Sequence, residues 1–213
     1  MSRLPAVVVM AKAPQAGRSK TRLCPPCRPE QASALAEAAL RDTLDAVLAT
    51  PGVRRVVALD GSVGSWLPRG FEVVGQEGDG LDERLARAVE RVGGPVAVIG
   101  MDTPQVTPEA ITVILGGIGP GRAVLAPAAD GGWWALGLHR ADGAVFRDVP
   151  MSRDDTGARQ TEQLRRCGLD VRRGAELIDI DHWPDALAVA AAAPRTRTAA
   201  LVAQIEASLA VPR

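Results

Sequence analysis

Short apolar runs that do not alternate with polar residues recur along this chain, at residues 6–9, 53–59, 95–100 and 123–126. They are rich in valine and isoleucine, and Gly, Pro or Asp bounds them. Runs of this length and composition read as strands buried on both faces, the signature of a parallel sheet. Helical stripes separate them. Residues 30–49 place Leu35, Ala39, Leu40, Leu44, Val47 and Leu48 on one face, behind Pro29 and before Pro51-Gly52. Residues 81–92 and 108–115 predict two more helices, the second with Thr107 as N-cap and Pro108 at its first position. Strand–helix alternation implies right-handed crossovers with helices on both sheet faces.

The second half is less regular. Residues 133–138 predict a strand of open orientation, 153–166 a polar helix and 177–181 a short strand ending in carboxylates. A helix led by Pro184 and an amphipathic helix over 196–209 complete the pattern. With 213 residues and neither repeat nor linker, one domain over 1–213 is expected. Basic and acidic residues balance at 25 each, which argues against nucleic acid or an anionic membrane as partner. No run is long enough to span a bilayer, and the N-terminal apolar stretch is too short for a signal peptide, so the cytoplasm is expected. Among the three cysteines, Cys24-Pro-Pro-Cys27 has no second pair, and His139 and His182 lie far off in sequence; the pair reads as a loop feature.

The first strand breaks into M-A-K-A-P-Q-A-G-R-S-K-T-R-L, residues 10–23, where Lys12, Arg18, Lys20 and Arg22 flank Gly17. Cations and backbone N–H groups on a flexible loop after a first parallel strand make a seat for phosphates. Another apolar strand delivers Asp102 to its carboxyl end, where a carboxylate either begins a Mg²⁺ or Mn²⁺ site or caps the turn before Pro104. Asp179 and Asp181 share a face by the two-residue period and offer a second carboxylate source, unless one caps the Pro184 helix. Asp130-Gly131-Gly132 before Trp133 and Trp134 allows close backbone approach beside an aromatic wall, or makes a tight turn. The acidic start of the 81–92 helix suits the helix dipole without any ligand.

Taken in order, these elements resemble the bacterial GT-A-like "transferase 1, rSAM/selenodomain-associated" glycosyltransferase family, related to the CofC-type phospholactate guanylyltransferases. A-K-x-P-x-x-G-x-x-K-T-R-L is matched from Ala11 to Leu23, and I-G-x-D-x-P from Ile99 to Pro104. The P-x-x-D-G-G-aromatic-aromatic element runs from Pro127 to Trp134, with Ala126 where Gly is usual. D-x-D-T appears at Asp179 to Asp181 with His182 replacing Thr, and G-E-R-L at Asp82 to Leu85 with Asp82 replacing Gly.

The resemblance implies an α/β GT-A (nucleotide-diphospho-sugar transferase) fold, a Rossmann-like three-layer sandwich with a mostly parallel central sheet. It implies nucleotide contacts from Ala11, Lys12, Gly17, Lys20 and Arg22, and substrate contacts from Glu83, Arg84, Asp130, Gly131 and Gly132. Mg²⁺ or Mn²⁺ would sit on Asp102 and Asp181, and Lys20, Arg22, Asp102 and Asp130 form the expected catalytic set. The partners are an NTP or nucleotide-sugar and a small acceptor. Nucleotidyl transfer is preferred, because a basic first loop suits a departing pyrophosphate. Glycosyl transfer, with Asp130 as base, is the alternative. A non-catalytic nucleotide-binding module ranks last, because Asp102 and Asp181 are both present.

Overall fold

A computed structural model describes residues 4–210. Its sheet has seven strands in the order β3-β2-β1-β4-β6-β5-β7: β1 (Ala6–Lys12), β2 (Arg54–Asp60), β3 (Glu72–Gly75), β4 (Val96–Ile99), β5 (Arg122–Pro127), β6 (Trp133–Leu138) and β7 (Asp170–Arg173). Neighbours pair in parallel except at β6, which runs antiparallel to both β4 and β5. The open orientation of residues 133–138 is thereby resolved.

The period of two sorts the strand side chains into two cores. Val7, Val9, Val57, Ala97, Ile99 and Val124 pack with α1 (Pro29–Ala49) and α3 (Pro108–Gly117). Ala6, Val8, Val56, Val96, Val98 and Leu125 pack on the opposite face, with α2 (Leu81–Val92) and Leu164 of α4 (Thr156–Arg166). Helices on both faces make the sandwich three-layered, as expected. A third cluster joins the outer side of α1 to α5 (Trp183–Ala192) and α6 (Arg197–Leu209) through Leu35, Ala39, Val189, Val202 and Ile205.

Two expectations need correction. Residues 177–181 are not a strand. Leu177 makes one isolated bridge to Ala128, and the segment then runs as an irregular strap across the carboxyl edge of the sheet. Leu177 N–H donates to the Pro127 carbonyl and Ile180 N–H to that of Asp102, single bonds to two different segments in place of a ladder. The 153–166 helix begins at Thr156, because residues 153–155 make a turn ahead of it. Thr107 caps α3 as expected, accepting a hydrogen bond from Ala110 N–H.

Candidate active site

The functional side chains collect at the carboxyl edge of β1 and β4, where the sheet's connections diverge to either side and ligands settle in open α/β folds. β1 feeds the cationic loop. Its Lys20 adopts a left-handed backbone, φ 50°, at the entry to a short 3₁₀ turn over Thr21–Leu23. Leu23 is fully buried in the third cluster beside Ile180 and pins the loop from beneath. β4 delivers Asp102. The strap delivers Asp179 and Asp181, held by Ile180 in the core and by Gln105 Nε2 donating to the Ile178 carbonyl. Asp185 accepts from the N–H groups of Asp181 and His182, which fixes the junction between strap and α5. Asp185, not Asp179 or Asp181, therefore does the capping.

Lys20 Nζ lies 2.7 Å from Asp102 Oδ2 and 3.0 Å from Asp181 Oδ1. Arg22 Nη1 lies 2.9 Å from Asp181 Oδ2. Three elements distant in sequence thus converge on one charged cluster. Burial pulls the Lys20 ammonium toward its neutral form, but Asp102 and Asp181 together outweigh it and raise its pKa. Burial likewise opposes ionisation of Asp181, and Lys20, then Arg22, override it and lower that pKa. Asp179 gains no such cation. Burial first, then the charges of Asp102 and Asp130, lift its carboxyl to about 6.

Oxygens of Asp102, Asp179 and Asp181 lie within 4.8 Å of one another. Hard oxygen donors at this spacing suit Mg²⁺ or Mn²⁺, and a stand-in cation, the Lys20 ammonium, already bridges two of them. Asp179 is a third carboxylate beyond the expected Asp102 and Asp181; the D-x-D spacing was its signal.

Two cavities flank the cluster. The smaller, about 260 Å³, is lined by Lys12, Arg18, Ser19, Lys20 and Arg22. The larger, about 700 Å³, is bordered by Asp102, Asp130, Gly132, Trp133, Arg153 and Asp179. Asp130 lies in this wall, and its Oδ1 accepts from Gly132 N–H at 2.7 Å, the contact of a tight turn. Gly131 has φ +90°, and a Cβ there would sit 1.9 Å from the Asp154 carbonyl.

The structure places other expected residues differently. Glu83 and Arg84 line neither cavity: Glu83 accepts from Asp79 N–H, and Arg84 bonds the Gly78 carbonyl and Asp60. They brace a loop, and their helix neighbours Leu81 and Leu85 face the larger cavity instead. Ala11 is buried in β1, where its carbonyl accepts from Gln76 Nε2. Gly17 turns the loop at φ +74° without lining a cavity. Cys24 and Cys27 are free thiols, and Cys27 is buried in the third cluster. No helix among the described residues is long and apolar enough to cross a membrane.

The mostly parallel seven-stranded sheet with helices on both faces is the fold of the nucleotide-diphospho-sugar transferases. The chain is similar in structure to a Desulfovibrio desulfuricans G20 protein provisionally assigned to that class, with TM-score 0.86, 22% identity and coverage of 97% of this chain and 96% of that one. A Mycobacterium tuberculosis H37Rv protein crystallised in complex with manganese shares the fold at TM-score 0.55 and 24% identity, over 89% of this chain and 98% of its own. The chain belongs to the family described as "Uncharacterized protein conserved in bacteria (DUF2064)", matched over residues 34–153. In sequence it is 28% identical over 183 residues to the 2-phospho-L-lactate guanylyltransferase of Natrialba magadii, 76% of this chain and 78% of that protein. The related proteins are transferases, the class that the resemblance implied.

Proposed function

We propose that the protein is a metal-dependent nucleotidyltransferase that moves a nucleoside monophosphate from an NTP to a small phosphorylated or carboxylated acceptor, releasing pyrophosphate. The observation that carries this reading is the convergence of Lys20 and Arg22 with Asp102 and Asp181 on one edge of the sheet. The guanylyltransferase relative, matched over most of both chains, supports it.

The chain's own groups suit in-line phosphoryl chemistry, which is mainly positioning and charge neutralisation. Lys12, Arg18, Lys20 and Arg22 line a cavity able to hold the β- and γ-phosphates and to stabilise the departing pyrophosphate. Asp102, Asp179 and Asp181 would hold Mg²⁺ or Mn²⁺. Bound there, the ion neutralises phosphate charge and polarises the phosphoryl group. The larger cavity leaves room for an acceptor on the far side of the cluster, with Arg153 in its wall to meet an anionic group. The cytoplasmic setting expected from the sequence belongs to the same reading.

One observation favours a second reading. Asp130 and Trp133 share the wall of the larger cavity, as a base and an aromatic platform for a sugar acceptor would. The discriminating experiment offers the protein Mg²⁺ with each NTP and small phosphorylated or carboxylated acids. Pyrophosphate release supports nucleotidyl transfer. Release of a nucleoside diphosphate from a nucleotide-sugar supports glycosyl transfer, and neither product with any donor refutes the transferase reading. Asp102→Asn is expected to lower turnover by orders of magnitude while leaving the fold intact.

A further inference from the structure

All 25 basic residues of the chain are arginine except Lys12, which ends β1, and Lys20, which stands in the loop after it. The difference is chemical. An ammonium is a compact point charge with three rotatable donors, whereas guanidinium is a planar fork suited to pairing with a single carboxylate. Lys20 uses the compact form. Its nitrogen contacts one oxygen of Asp102 and one of Asp181, two of the three carboxylates close enough to share a metal ion. Its side chain is 13% exposed and those of Asp102 and Asp181 are 29% and 30% exposed, so the contact is a partly buried bridge that water reaches from one side only.

We propose that Lys20 is the resident cation of this site in the metal-free protein and is exchanged for the divalent ion, which frees the ammonium for the nucleotide's phosphates. This rests on the metal-dependent reading above. The physical argument is competition. An ammonium and a divalent ion cannot both occupy the space between the same oxygens, because their charges repel and their contacts overlap. The metal must therefore break two charge-assisted hydrogen bonds before it gains its own ligands. The released ammonium has a place to go, since Lys20 also borders the smaller cavity beside Lys12, Arg18 and Ser19. Phosphates bound there compensate the charge that the carboxylates give up. Metal and nucleotide then favour each other's binding through one side chain, a reciprocal coupling. Without nucleotide the ammonium holds Asp102 and Asp181 in place.

The test uses Mn²⁺ alone, followed by calorimetry, with wild type, Lys20→Met and Asp102→Asn compared after melting curves establish that each is folded. Lys20→Met is expected to bind Mn²⁺ roughly tenfold or more tightly than wild type, about 1.4 kcal/mol or greater. Asp102→Asn is expected to lose the binding. Equal or weaker binding by Lys20→Met, with wild type still binding, overturns the exchange and leaves the metal site standing. Absence of Mn²⁺ binding in every form removes the metal reading and the exchange with it. A measurement on wild type alone guards against a variant that fails to fold. Acetic anhydride labelling read by mass spectrometry should modify Lys20 slowly relative to the exposed Lys12, and Mn²⁺ should accelerate Lys20 several-fold. Mn²⁺ that binds without changing Lys20 labelling refutes the proposal.

Discussion

Asp42 lies in the middle of α1, and its side chain, 4% exposed, accepts from four donors of α6. These are the backbone N–H groups of Arg197 and Thr198 at 3.1 and 2.9 Å, the Thr198 hydroxyl at 2.7 Å and the Arg197 guanidinium at 3.1 Å. The carboxylate thus satisfies N–H groups that the first turn of α6 would leave unpaired, and it sits at the positive end of that helix. Asp42→Ala orphans two N–H groups and a buried hydroxyl, while Arg197 keeps Asp45 at 2.6 Å. Leaving these three polar groups unsatisfied costs about 3–4 kcal/mol in all, at about 1 kcal/mol or a little more for each. Asp42→Asn retains one acceptor oxygen and should cost about 1–2 kcal/mol. Urea unfolding measures both, and a lower midpoint at unchanged slope is the expected form of the result. The consequence reaches the site. α6 and α5 pack in the same cluster as Ile180, the residue between Asp179 and Asp181, so Asp42→Ala should also weaken stabilisation by Mn²⁺. A loss below about 1 kcal/mol in the alanine variant would refute the reasoning, since that is no more than one ordinary hydrogen bond.

The Asp179 carboxyl, held up to about 6 against an ordinary 3.8, favours its protonated form in the fold. Its contribution to stability is therefore complete below pH 3.8 and is lost as pH rises through about 6. Asp179→Asn should stabilise the metal-free protein at neutral pH by about 1–2 kcal/mol, after discounting for partial exposure, and should flatten its melting temperature between those pH values. An unchanged pH profile would show that Asp179 ionises freely. Gly131→Ala places a Cβ against the Asp154 carbonyl at a left-handed φ, so it should destabilise by about 3 kcal/mol or more in a thermal melt. Because Gly132 and Asp154 border the larger cavity, the same variant should raise KM for the acceptor more than for the nucleotide.

The sequence made the centre of the sheet legible and its margins illegible. The runs at β1, β2, β4 and β5 are apolar on both faces because helices cover both, and that burial is written directly into composition. β3 and β7 escaped notice. Each is four residues long at a sheet edge, and Glu72, Val73, Asp170, Arg172 and Arg173 are all exposed. An edge strand carries no buried pattern on its open side. Leu177-Ile178-Asp179-Ile180-Asp181 misled by alternating like a strand while spending its hydrogen bonds elsewhere. In the site, the loop cations and Asp102 were visible because each follows a strand end. That Lys20 bonds two carboxylates was not visible, since it depends on packing between segments more than eighty residues apart. Asp42 gave no signal, because a carboxylate within a helix ordinarily meets water.

The reversal of β6 between β4 and β5 decides which of its two flanking turns matters. A parallel strand offers the residues that follow it to the ligand-bearing rim, but a reversed one offers the residues that precede it. Val96 faces Leu138 and Ile99 faces Ala135, so the Asp130–Gly132 turn arrives beside Asp102, while Arg140–Asp142 emerges at the opposite rim. Relatives that differ in length after β6 can thus diverge there without reshaping the rim that carries Asp102. Those that differ just before it rebuild the wall of the larger cavity.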